Sequence, residues 1–256
     1  MKSVNMILLS LLLLSITTVN AQETNYIDWI NAGQPALQSN STNPPVPFGG
    51  ALTTYADLTS FQASGVMTVL EDFEGGLTGA GAVNTCVPPV NSLSNDPCFT
   101  PGDLISGFNI SATGTGTNQV VALGAGVVGN ADVVMGANSF ADVTVLTFDA
   151  TNIQAVAFDL QTNAAGPVSV RVFDAGGVLI DTLSIVANPS FVGFTSPVAI
   201  GSIELEDDTA GGELFDNLRF GTMGPPAIIP TLSFTSIGLL LMLMLIVALR
   251  FKTKNT

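Results

Sequence analysis

Histidine is absent from the chain, and no lysine stands between Lys2 and Lys252. Without an imidazole, Ser-His-Asp relays and nearly every zinc, copper or haem site are excluded. Without a lysine in the body, Schiff-base chemistry and Ser-Lys pairs are excluded as well. Basic side chains of any kind are scarce: six Lys and Arg oppose twenty Asp and Glu, a formal charge of −14. All the acids lie between Glu23 and Asp216, where only Arg171 and Arg219 counter them. Such a body repels nucleic acid and anionic headgroups, so neither is expected as its partner. Aromatic platforms are also few. The one tryptophan, Trp29, falls outside the strand-rich region, which weakens a glycan-stacking reading.

Cysteine is nearly absent too. Cys86 and Cys98 are twelve residues apart, and in an oxidising compartment they pair most simply as one loop-closing disulfide. A catalytic thiol would need a base that the composition does not supply.

What is present is arranged in three parts. Residues 1–21 carry Lys2, an apolar run from Ile7 to Ile16, and Val19-Asn20-Ala21, the layout of a secretory signal peptide cleaved between Ala21 and Gln22. At the other end Ile237 to Leu249 is almost wholly apolar. With Leu232 to Ser236 it reaches the length that crosses a bilayer, as one C-terminal transmembrane helix. Arg250, Lys252 and Lys254 follow, and their charge is expected to stay in the cytoplasm with the body outside it.

Between these ends, residues 22–65 read as an extended lead-in with a short helix. Thr54 is its expected cap, Leu58 and Phe61 share one side, and Gly65 ends it. From Val66 to Gly221 short β-branched or aromatic runs recur at roughly ten-residue spacing, divided by Gly, Pro, Asn or Asp. No convincing helical period interrupts them. This predicts an all-β chain with a single antiparallel β-sandwich of jelly-roll type over 66–221. Asp174-Ala175-Gly176-Gly177 is expected to turn a hairpin. Residues 222–228 read as a linker and 229–256 as the tail.

Few constellations in the body could carry chemistry. Gly124-Ala125-Gly126-Val127-Val128-Gly129 fits GxGxxG, but no helix pattern follows it, so it reads as a turn rather than a dinucleotide site. Glu204, Glu206, Asp207 and Asp208 read as a solvated loop before a Gly-rich turn, with loose cation binding as the alternative. In Leu214-Phe215-Asp216-Asn217-Leu218-Arg219-Phe220, strict alternation puts Asp216 on the same face as Leu214, Leu218 and Phe220. A carboxylate facing a core must be paired, hydrogen-bonded or metal-bound. Two readings stay open. Asp216 either ligates a structural Ca²⁺, with ligands from Glu71, Asp72 or Glu74, or it caps a bulge or hydrogen-bonds backbone amides at the sandwich rim.

Ile229-Pro230-Thr231-Leu232-Ser233, a span, and a basic end together resemble the IPTL-CTERM sorting signal, which is similar in layout to PEP-CTERM tails. The segment Phe234-Thr235-Ser236-Ile237-Gly238 departs from the acidic-aromatic pair usual there. The resemblance implies the inner membrane and an exosortase-like processing enzyme as partners. The body resembles jelly-roll ectodomains joined to such tails, on Tyr55-Ala56-Asp57, Asp72-Phe73-Glu74-Gly75, Cys98-Phe99, Gly107-Phe108, Val192-Gly193-Phe194 and Phe215-Asp216-Asn217. Related carbohydrate-binding sandwiches hold a calcium ion, which carried over implicates Glu74 and Asp216. The function expected is a non-enzymatic exported protein, at the inner membrane or, after tail cleavage, at the cell surface or in an exopolysaccharide matrix. A carbohydrate-binding module and a carboxylate glycosidase are the alternatives.

Overall fold

A computed structural model describes residues 25–32, 46–47, 51–162, 167–186, 190–209 and 211–224. The expected signal peptide with its Ala21/Gln22 cleavage point lies outside the described residues, as do Ile229, Pro230, Thr231, Leu232 and the span. Among the described residues no helix is long and apolar enough to cross a membrane.

The described chain is all-β apart from two short helices, α1 (Tyr26–Asn31) and α2 (Leu58–Ala63). Its strands are β1 (Val46–Pro47), β2 (Thr53–Tyr55), β3 (Val66–Glu71), β4 (Val83–Cys86), β5 (Phe108–Gly114), β6 (Val120–Leu123) and β7 (Val134–Ala137). They continue as β8 (Asp142–Phe148), β9 (Ala155–Thr162), β10 (Val168–Asp174), β11 (Leu179–Ile185), β12 (Ser190–Thr195), β13 (Ile200–Asp207) and β14 (Glu213–Met223). All pairings are antiparallel. A six-stranded sheet runs β1-β11-β10-β13-β8-β5, and an eight-stranded sheet runs β2-β12-β9-β14-β7-β6-β4 with β3 also on β14. From β7 onward the chain repeatedly crosses between sheets, so neighbours in space are rarely neighbours in sequence.

Period-two alternation sets the layers. Val168, Val170 and Val172 of β10, Leu146 of β8 and Leu205 of β13 point inward from the first sheet. Val156, Phe158 and Leu160 of β9, with Phe215, Leu218 and Phe220 of β14, meet them from the second. Phe73 and Phe215 pack edge to face at 5.6 Å within this layer, a favoured aromatic geometry. The outer face of the second sheet carries two further apolar patches. Tyr26 of α1 packs on Phe140 and Leu214, while Phe61 of α2 packs on Ala155 and Ala157.

Several expectations change. The sheets recruit β1 and β2 from the lead-in, and Thr222 and Met223 belong to β14 rather than to a linker. The lead-in also contributes core, because Tyr26 is fully buried. Helix α2 is capped by Asp57, whose side chain accepts from Ser60 N, because Thr54 is committed to pairing with β12. The Asp174–Gly177 turn forms: Gly177 takes φ 79°, and Asp174 Oδ1 accepts from the Gly176 and Val178 amides. Cys86 and Cys98 are bonded.

Buried acids are numerous in a chain with so little positive charge, and backbone amides are what satisfy them. Glu71 accepts from Phe73 N and Ile105 N at 2.8 Å each, tying the end of β3 to the loop before β5. Asp142 accepts from Gly116 N and Asn118 N, and Asp181 from Ala51 N. A buried carboxylate is tolerable only with such partners. Much of the acidity is therefore architectural.

Candidate functional site

On the outer face of the second sheet, the apolar patches under α1 and α2 leave a gap. There β9 and β14 run side by side. Along β9 the outward residues are Ala155 and Ala157, covered by α2, then Asp159 and Gln161 beyond its reach. On β14 the corresponding residues are Leu214, under α1, and Asp216. Asp159 and Asp216 are direct partners in the antiparallel register.

The register then slips: Asp216 pairs with Asp159, but Arg219 pairs with Ala157, three steps against two. The extra residue is accommodated at Asn217, whose φ of 53° lies in the left-handed region that Asn tolerates better than most side chains. This bulge corrects the alternation read from sequence. Leu218 and Phe220 do face the core, but Leu214 and Asp216 face outward, because one inserted residue inverts the phase between them.

The bulge organises the polar groups around it. Asn217 N donates to Asp216 Oδ1, while Asn217 Nδ2 donates to Asp216 Oδ2 at 3.1 Å and to Asp159 Oδ2 at 3.0 Å. One carboxamide thus clamps two carboxylates. Arg219 Nη1 donates to the Asn217 carbonyl at 3.1 Å. Burial pushes the Asp216 carboxyl up to about 7; donation from the Asn217 amide opposes the rise, and the charges of Asp132, Asp159 and Glu74 add to it. Burial also raises Asp159, with the Asn217 amide and Arg219 pulling it back. A groove of about 350 Å³ opens here, lined by Asp132, Asp159, Gln161, Ser190, Phe191, Asp216 and Asn217.

Glu74 and Asp216 are close enough in space for the charge of one to shift the other. Their carboxylates, however, take N–H donors: Glu74 Oε1 accepts from Val133 N, and Asp216 accepts from Asn217. Among the described residues no group of three or more His, Cys, Asp or Glu converges as a metal cage. The Asp216 contacts are those of a carboxylate that caps a bulge.

Sequence reasoning did not single out Asp159 or Gln161, and it named Asn217 only within Phe215-Asp216-Asn217, with no role of its own. Asp159 sits in Phe158-Asp159-Leu160, a carboxylate alternating with two core residues, and that pattern was the available signal. The Glu204–Asp208 run is not a solvated loop. Glu204 and Glu206 lie on β13 and pair with Arg171 of β10, Asp207 is buried, and Asp208 accepts from Ser169. The Gly124–Gly129 segment is the turn between β6 and β7, with positive φ at Gly126 and Gly129.

No family model matches the chain, and no curated protein matches it. Solved structures with partial likeness include a family 29 carbohydrate-binding module complexed with cellulohexaose: 12% identity, 56% of this chain and 92% of that one, TM-score 0.34. The CBM22-1–GH10 modules of a Clostridium thermocellum endo-1,4-beta-D-xylanase, complexed with xylohexaose, align at 12% identity over 64% of this chain and 30% of that one, TM-score 0.28. A bacteriophage CBA120 tailspike domain aligns at 17% identity over 45% and 19%, TM-score 0.27. Likeness of this degree carries no argument about ligand or activity.

Proposed function

We propose that the chain is a non-enzymatic exported protein whose sandwich meets neutral polysaccharide through the Asp159–Asp216 groove. The tail delivers it to the inner membrane. There it stays as a single-pass protein with its body in the periplasm, or an exosortase-like enzyme cleaves it and it passes to the surface or matrix. The observation behind the polysaccharide reading is the mixed lining of the groove. Carboxylates, the carboxamides of Gln161 and Asn217, and the Ser190 hydroxyl stand beside the half-buried ring of Phe191. Acceptors and donors interleaved at the edge of a ring suit hydroxyl-rich ligands. The acidity of the groove argues against anionic glycans.

Affinity electrophoresis of the full-length protein in gels containing neutral polysaccharides tests the ligand. Retardation that Gln161→Ala and Asp132→Asn weaken supports the reading, and no retardation across the panel overturns it. The mass of the protein from cells tests the tail. A C-terminus between Ile229 and Leu232 means cleavage, an intact Thr256 a permanent anchor.

A second reading, a carboxylate glycosidase, is favoured by one observation: Asp159 and Asp216 oppose each other and both are raised. Release of reducing sugar that Asp159→Ala and Asp216→Ala each abolish would replace the binding reading. A calcium ion at Glu74 and Asp216 stands as a separate proposal, since it would have to displace the Val133 and Asn217 amides. A rise in melting temperature with Ca²⁺ that Asp216→Asn removes would support the ion. A calcium-insensitive melt would leave the amide-capped carboxylates alone.

A further inference from the structure

We infer that the end of the sandwich from which the chain runs into its tail is a membrane-contact face, seated on the phospholipid bilayer that the tail crosses. The inference rests on the tail being the anchor.

The pairing register defines that end. Strand β14 descends from Glu213 to Met223 and finishes against the start of β3, with Thr222 opposite Met67 and Met223 opposite Val66. Gly224 N then donates to Gly65 O at 2.8 Å. The loop between β12 and β13 closes on the same end, because Thr195 pairs with Ala155 and Ala155 with Gly221. In the first sheet the β10–β11 turn lies level with it, since Asp174 pairs with Ile200 and Ile200 N donates to Ile153 O.

These unrelated segments all bring exposed apolar side chains to one end. Met67 is 58% exposed, Val178 65%, Leu179 50%, Val198 48% and Met223 37%. Single exposed apolar residues need no explanation; of the eleven large ones exposed among the described residues, these five come from four separate segments and gather at one end. A groove of about 350 Å³ opens among them between Ala51, Pro197 and Met223. Of the acids here, Asp149 is exposed and accepts from Asn109 Nδ2, Asp174 is turned onto the Gly176 and Val178 amides, and Asp181 is buried on the Ala51 and Leu52 amides.

The occupant follows from where the chain goes. Residues 225–231 separate Gly224 from Leu232, where the apolar stretch begins. Fully extended, that interval reaches at most about 28 Å, close to the length of one seven- or eight-residue strand. The tether holds this end of the sandwich near the lipid and leaves the opposite end, at Gly114 and Asp142, facing away. Apolar side chains already beside the bilayer gain by shallow insertion at the headgroup boundary. The acidic body makes the contact weaker on anionic lipid.

The test uses the full chain with its disulfide intact, reconstituted into vesicles of phosphatidylethanolamine with a minor share of phosphatidylglycerol. A solvent-sensitive fluorophore is placed at Val198→Cys or, at the far end, at Thr115→Cys, and lipids carrying headgroup spin labels serve as quenchers. The Val198 position is expected to be quenched at least several-fold more than the Thr115 position. Adding Val178→Asp, at an exposed site that leaves the melt unchanged, is expected to reduce the difference. Equal quenching at both ends in protein that floats with the vesicles overturns the contact face while leaving the anchor intact. Protein that does not float overturns the anchor, and the contact face with it.

Discussion

Asp159 and Asp216 are direct neighbours across β9 and β14, and both carboxylates take a hydrogen bond from the one side-chain nitrogen of Asn217. Two like charges held in this way repel each other, offset only in part by Arg219 acting on Asp159, and burial makes ionisation of either costlier. That arrangement gives the protein a specific dependence on pH.

Stability should fall as pH rises toward neutrality. Asp216 is raised from 3.8 to about 7, and Glu213, buried against Thr144, from 4.5 to about 8. In both cases burial is the leading cause. Between the unfolded and folded values the native state holds more protons than the unfolded one, so unfolding free energy decreases with pH. The contribution is fully present below about pH 4 and is lost as pH passes through about 7 for Asp216 and about 8 for Glu213. Urea midpoints measured from pH 4 to 9 should show this decline, and Asp216→Asn should flatten its lower part.

At Asn217 backbone and side chain can be separated. Asn217→Val forces a β-branched residue into the left-handed region and removes the clamp, so it should cost at least about 1–2 kcal/mol in equilibrium unfolding. Asn217→Gly keeps the backbone geometry and removes only the carboxamide. Its cost should be smaller and should grow with pH, as the two carboxylates ionise without a shared donor. Equal costs for the two variants at every pH would refute the clamp.

Glu71 holds two loops on one carboxylate. Glu71→Ala leaves the Phe73 and Ile105 amides without their acceptor, and each buried unpaired group costs about 1–3 kcal/mol. A loss of about 2–4 kcal/mol is expected in urea unfolding, and Glu71→Gln, which retains one acceptor, should recover part of it.

The Cys86–Cys98 bond closes a short loop in the unfolded chain. Loop-closure entropy for that length amounts to about 3 kcal/mol. The doubly substituted Cys86→Ser, Cys98→Ser protein should melt correspondingly lower, and reductant should lower the wild-type melt while leaving that of the variant unchanged.

Strands were legible because the side chains write them locally. Val168, Val170 and Val172 alternate with Ser169 and Arg171, and no partner is needed to see which face is apolar. The β10–β11 turn was legible for the same reason, as Gly177 permits a backbone angle that few other residues take. Strand β2 was missed because it is three residues long, too short for a period to declare itself, and it lies in the stretch read as an extended lead-in. Helix α1 was missed within a polar lead-in, although Asn25 caps it and Tyr26 anchors it. Of the site, Asp216 could be reached as a carboxylate out of keeping with its surroundings. Asp159 could not be paired with it, since 56 residues of chain lie between them and only strand register joins them.

By itself the sequence determined the all-β class, the Cys86–Cys98 pair, the acidic body without histidine, and the difference between that body and the two apolar ends. These follow from composition, spacing and local alternation, which need no knowledge of long-range contacts. Tertiary structure alone decided which strands became neighbours, which acids were buried on amides rather than solvated, and which way Asp216 points. The last turns on a single residue. The bulge at Asn217 inverts the alternation within β14, and where a strand takes up an extra residue depends on the strand it pairs with.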